Sequence, residues 1–81
     1  MYMYFVYVIR SRIDGRLYKG MTHDIALRMR AHNSGKVRST RAYRPWELVY
    51  QECFSTMQGA RDRELFFKSG QGREYLKAKI L

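Results

Sequence analysis

The 81-residue chain contains one cysteine and one proline, and each scarcity removes a class of protein. A lone Cys53 cannot close an internal disulfide, which excludes a disulfide-stapled secreted domain. With only His23 and His32 beside that thiol, no zinc-ligand spacing exists, and no glycine-rich loop of the kind that cradles nucleotide phosphates occurs. No apolar run approaches the ~18 residues of a membrane span, and nothing reads as a cationic-then-apolar leader. A reducing, cytoplasmic setting is the resulting expectation, with Cys53, in a strand-like segment, expected as a buried thiol.

Acidic residues are also scarce: seven Asp and Glu stand against 16 Lys and Arg, a net charge of +9. The surplus is concentrated, because Arg28, Arg30, Lys36, Arg38, Arg41 and Arg44 follow one another with no acidic residue between Ile25 and Trp46. Such a block suits a polyanion, since each phosphate neutralised releases condensed counterions. The plainer alternative is a solvated basic face. Membrane binding is disfavoured, since no long apolar helical face accompanies the charges. A chain of this length makes one domain that buries only about 60% of its unfolded surface, and a monomer or weak dimer is expected.

Tyr4 to Ile9 (YFVYVI) is aromatic or β-branched on both alternating faces, as in a central strand covered on both sides. Asp14-Gly15 signals a hairpin turn, with Arg16 to Met21 returning. Thr22 is the expected N-cap and Asp24 a first-turn residue of a helix that runs to about Asn33 and stops at Asn33-Ser34-Gly35. Lys36 to Arg44 reads as a loop with one short helical turn, ended by Pro45. Trp46 to Phe54 alternates as a third strand. Ser55-Thr56-Met57-Gln58 has the capping-box pattern and opens a helix through about Lys68. Ser69-Gly70-Gln71-Gly72 breaks it, and Arg73 to Ile80 forms a last short helix.

Pairing parity places two tyrosines together. An even hairpin loop makes opposed residues sum to an odd number, so Tyr7 and Tyr18 share a face, with Gly20 leaving an opening beside them. On a wheel of about 100° per residue from Ile25, Arg28 at about 300° and His32 at about 340° border the core-facing stripe. From Met57, Glu64 at about 340° falls in an apolar sector with Ala60 and Phe67. A carboxylate there needs a cation, either a metal or an ion-pair ladder with Arg61 and Lys68, and spacing alone does not separate the two. Two tyrosines, an arginine, a histidine and a glutamate suit phosphodiester hydrolysis, whose crowded anionic transition state requires positive charge and proton management.

In order and spacing the chain resembles the GIY-YIG nuclease domain, in particular its small stand-alone members. Phe5-Val6-Tyr7 stands where the family has GIY, and Leu17-Tyr18-Lys19-Gly20 where it has YIG. Thr22-His23-Asp24, Arg28, His32-Asn33-Ser34-Gly35 and Arg63-Glu64 follow in order, and the run Ser69 to Glu74 looks like one stand-alone subgroup. The resemblance implies an α+β fold, a three-stranded antiparallel sheet flanked by helices in the order β-β-α-(short α)-β-α-α. It also implies a one-metal endonuclease using Mg2+ or Mn2+. Glu64 matches the metal-binding glutamate and Arg28 the arginine that stabilises the phosphate. Tyr18 matches the tyrosine that acts as general base or positions the nucleophilic water, and Tyr7 the one that supports water and phosphate orientation. His32 stands where relatives place a histidine or tyrosine that relays the Tyr18 proton. A tyrosine is a weak base near neutrality without such a partner.

Phe5, Lys19 and Leu27 depart from the family pattern outside the reacting side chains. The asparagine that some relatives use downstream of the glutamate has no counterpart, Asn33 being the sole asparagine. Lys19, Arg30, Asn33, Lys36, Arg38, Arg41 and Arg44 are the expected nucleic-acid contacts, with low sequence specificity for DNA or RNA. The competing reading is a binding module without catalysis, in which Tyr43 and Trp46 offer stacking surfaces; for those two side chains strand-edge packing is the favoured expectation. Targeting by a partner protein is compatible with either reading.

Overall fold

Strand β1 (Tyr4–Ser11) carries apolar side chains on both faces and lies between the other two strands, in the antiparallel order β2-β1-β3. The computed structural model describes residues 2–80. Val6, Val8 and Ile9 are fully buried, as a strand covered on two sides requires. The turn to β2 (Leu17–Thr22) uses Gly15 at φ 78°, and the Asp14 carboxylate accepts from the Arg16 amide at 3.1 Å.

Three helices flank the sheet: α1 (Ile25–Ser34), α2 (Met57–Phe67) and α3 (Gly70–Ile80). One face of the sheet, bearing Val6 and Val8, packs against Ala60, Phe67 and Leu76 of α2 and α3. The other face, bearing Tyr7 and Ile9, packs against Ile25 and Met29 of α1 and against Tyr43 of a single 3-10 turn, Arg41–Tyr43. Strand β3 (Trp46–Phe54) serves both cores because its register with β1 shifts between Val8 and Ile9. Beyond that bulge the alternation inverts, so Trp46 and Leu48 join the α1 core while Tyr50 and Phe54 join the other.

Several boundaries differ from those read in the sequence. Asp24, not Thr22, caps α1, accepting from the Leu27 amide at 3.0 Å; Thr22 instead bonds to the Asp24 backbone. Thr56, one residue after Ser55, caps α2. Cys53 is exposed rather than buried. It pairs with Phe5 on the α1 side of the sheet, where Gln51 is also exposed, beyond the region covered by α1.

The last helix begins at Gly70, within the stretch expected to be a break. Two glycines there discourage helix, but tertiary packing decides the matter at Gly72, where a Cβ would overlap the Phe66 carbonyl. The absent side chain lets α3 turn against the end of α2, and the Ser69 hydroxyl accepts from the Gly72 amide at 3.1 Å. Gly72→Ala is therefore expected to cost about 2 kcal/mol or more through overpacking. Gly70→Ala, with nothing within 4 Å of its Cβ, should leave stability within about 0.5 kcal/mol. Urea unfolding of both variants checks the contrast, and equal losses would refute the close-approach explanation.

Candidate active site

Tyr7 and Tyr18 share the α1 face, as parity requires: Tyr7 opposes Gly20 and Tyr18 opposes Ile9. The expected opening at Gly20 is filled, however. A Cβ at Gly20 would stand 2.5 Å from the Tyr7 hydroxyl oxygen and 2.6 Å from Cζ, so the ring lies directly across the glycine. Glycine is needed here for close approach rather than for an unusual φ.

That hydroxyl is the meeting point of the site. His32 Nε2 lies 2.8 Å from it, and Arg28 Nε donates to it at 3.4 Å. His32 Nδ1 lies 2.8 Å from Thr40 Oγ1, and the Thr40 hydroxyl donates to the Val37 carbonyl at 3.4 Å. Arginine only donates, so one direction of flow satisfies every member. Tyr7 accepts from Arg28 and donates to Nε2, while Nδ1–H donates to Thr40, whose hydroxyl donates to the Val37 carbonyl. His32 and Thr40 are both fully buried. Burial, and then the Arg28 charge, lower the His32 pKa, which keeps the imidazole neutral. Burial raises the Tyr7 pKa and outweighs the opposing Arg28 bond and charge, while Tyr18 and Glu64 push it further up. Tyr7 thus remains a protonated donor.

The relay expected between Tyr18 and His32 is not what forms. Both imidazole nitrogens are taken, by Tyr7 and Thr40, and Tyr18 meets His32 edge-on, with ring centroids 5.2 Å apart. The Tyr18 hydroxyl has no hydrogen bond within the described residues, and no buried side-chain polar atom there lacks a partner, so this hydroxyl faces solvent. Thr40 was missed in the sequence because a threonine within a basic loop carries no signal for its partner eight residues upstream.

Glu64 lies on α2, across the sheet from α1, and its charge is the last of the influences that raise the Tyr7 pKa. Its side chain is 18% exposed and its carboxylate pairs with Lys68 at 3.1 Å. Of the two ladder partners considered, Lys68 engages it, and Arg61 forms no ion pair among the described residues. No group of three or more His, Cys, Asp or Glu that could hold a metal occurs among those residues. A lone, partly open carboxylate fits Mg2+ or Mn2+ retaining most of its waters, and does not fit a protein cage for zinc or calcium.

The expected nucleic-acid contacts divide. Arg30 and Lys36, together with the catalytic candidate Arg28, line a groove of about 510 Å³ on the outer side of α1, and Arg38 and Arg41 are exposed. Asn33 is committed elsewhere, since its amide donates to the Trp46 carbonyl at 3.0 Å and accepts from the Trp46 amide at 2.7 Å, clamping α1 to β3. Arg44 is partly engaged, with Nε donating to the Arg41 carbonyl at 2.7 Å. Lys19 projects from the opposite face of β2, paired with Val8, and burial followed by Arg73 and Lys68 lowers its pKa. Neither aromatic offers a free stacking face: Trp46 is 4% exposed and Arg16 lies 3.5 Å over the Tyr43 ring.

Comparison with known proteins finds relatives over most of the chain. The family profile described as the GIY-YIG catalytic domain matches residues 3–76. A UPF0213 protein of Bacillus pumilus is 46% identical over 67 residues, covering 82% of this chain and 67% of its own. Another from Staphylococcus epidermidis is 40% identical over 75 residues, covering 91% of this chain and 90% of its own. The solution NMR structure of a UPF0213 protein from Bacillus halodurans superposes with a TM-score of 0.58 at 32% identity, over 94% of this chain and 83% of that one.

A buried neutral imidazole makes stability depend on pH. The unfolded chain protonates this histidine near pH ~6.5, the folded chain only at lower pH, so the unfolded state binds more protons between those values. The stability contributed is present above the unfolded value and is lost as pH falls toward the folded one. His32→Gln is expected to flatten the rise in unfolding free energy between about pH 5 and 7. Urea melts across that range measure it, and an unchanged slope would place the proton uptake on another group.

Proposed function

Because this chain belongs to the GIY-YIG family, we propose that it is a metal-dependent endonuclease acting on phosphodiester bonds of DNA or RNA with little sequence preference. The observation that carries this reading is the Tyr7 hydroxyl, bonded to Arg28 and His32, with the Tyr18 ring packed edge-on against the same His32. Glu64 would hold a hydrated Mg2+, which when bound supplies charge neutralisation at the phosphoryl oxygens and a more acidic water.

The protein's own groups do the rest. Arg28 spends one N–H on Tyr7, leaving its terminal nitrogens to donate to a phosphoryl oxygen whose negative charge grows in the transition state. Tyr18, the solvent-facing hydroxyl, accepts from and orients the attacking water. Tyr7 holds Arg28 in place and, being kept protonated, does not compete as a base. His32 and Thr40 fix Tyr7 from behind. His32 therefore acts through Tyr7 and is a positioning residue in this scheme.

One observation favours a second reading, binding without cleavage: the Glu64 carboxylate already has a cationic partner in Lys68. Cleavage of supercoiled plasmid, branched DNA and single strands in Mg2+, compared for wild type and Glu64→Ala, decides between them. The expected result is metal-dependent cutting that Glu64→Ala lowers by about 100-fold or more while binding persists. Wild-type binding without cutting across Mg2+ and Mn2+ would establish the second reading instead.

A further inference from the structure

We propose that the groove on the outer side of α1 is a seat for an unpaired nucleotide segment, so that the substrate is single-stranded or frayed next to the cleaved bond. The proposal deepens the nucleolytic reading and rests on it for the position of that bond. The groove is lined by Thr22, Leu27, Arg28, Arg30, Ala31, Ser34 and Lys36. Its volume of about 510 Å³ lies within the range of about 300–1,000 Å³ typical of sites for small organic groups.

The helix wheel explains its character. Taking Ile25 as zero, Leu27 and Ala31 lie at about 200° and 240°, while Arg30 and Arg28 flank them at about 140° and 300°. An apolar lane is thus bordered by a cation on each side, with Lys36 past the helix end. Leu27 is 56% exposed with nothing of its own chain to cover it. Neither Arg30 nor Lys36 forms a side-chain ion pair or hydrogen bond among the described residues, and Arg28 makes just its single bond to Tyr7.

This combination selects its occupant. Duplex DNA presents phosphates outward and keeps its bases stacked, which would satisfy the arginines and leave Leu27 against a charged backbone. An unpaired strand presents phosphates and an apolar base face together, as the lane and its rims require. A second copy of the chain is disfavoured because both carry +9 and the rims are like-charged. Arg28 belongs to both groove and active site, so a strand lying in the lane leads directly to Tyr7.

Fluorescence anisotropy in EDTA separates this from cleavage, using a short labelled oligothymidylate, a duplex of equal length, and polyglutamate as competitor. Leu27→Ala, an exposed site where alanine favours helix, is expected to weaken the single strand about fivefold with the duplex unchanged. Arg30→Ala and Lys36→Ala should each reduce the single-strand salt slope by about 0.7. Equal effects of Leu27→Ala on both nucleic acids, unaltered salt slopes, or displacement by polyglutamate as efficient as by nucleic acid would each overturn the proposal. Selective binding by a protein that never cuts would sink the nuclease reading and leave the groove assignment standing; cutting of uninterrupted duplex without any single-strand preference would do the reverse.

Discussion

The site depends on a steric constraint: a Cβ at position 20 would stand where the Tyr7 phenol lies. Tyr7 and Gly20 are cross-strand partners, and the phenol lies in the space where a side chain would be. Once there, its hydroxyl can accept from Arg28 and donate to His32, which in turn reaches Thr40. Any Cβ would push the ring away and unpair two buried polar groups, each costing about 1–3 kcal/mol. A packing requirement between two strands therefore becomes the orientation of an arginine on a helix.

The other layer of the fold is held to the sheet by an ion pair. Arg63 and Glu64 are adjacent in α2 but point about 100° apart. Arg63 makes two bonds to Glu52 of β3, at 2.8 and 3.1 Å, and its guanidinium lies 4.7 Å from the Tyr75 ring. Burial opposes ionisation of Glu52, but Arg63 and the Tyr50 hydroxyl outweigh it and lower its pKa. This ion pair anchors α2 on β3, while the neighbouring Glu64 pairs with Lys68 along the helix. The bulge at Val8/Ile9 serves that arrangement, because without it Glu52 would face α1.

Much of this was readable in the chain. Residues 4–9, apolar on both faces, specify a central strand, and hairpin parity puts Tyr7 with Tyr18 without any knowledge of the register. Local signals located the helices to within a residue or two, failing at Gly72, where backbone contact with Phe66 overrides glycine's low helix propensity. The buried-thiol expectation failed at Cys53 for a comparable reason: alternation says which face a residue is on, not how far a helix extends across it. The partners of His32 and Asn33 were invisible because they are long-range and chosen by geometry. Asn33 looked like a surface donor, yet both ends of its amide are spent on Trp46.

The Glu64–Lys68 pair bears on whether such a site can work at all. Lys68 is 52% exposed and sits one helical turn from its partner, and pairs of that kind contribute about 0.3–0.5 kcal/mol. A cost of that size changes an equilibrium constant by about twofold. A divalent ion attracted by the same carboxylate meets only this weak competitor, so Lys68 does not close Glu64 to a stronger cation. The larger obstacle is that Lys68 itself belongs to a cationic group: after burial, Arg73 and Lys68 lower the Lys19 pKa, and such a concentration of positive charge repels a metal ion as it attracts a polyanion. A phosphate at the cleaved bond would offset part of that repulsion, so substrate and metal are expected to favour one another's binding in the proposed mechanism.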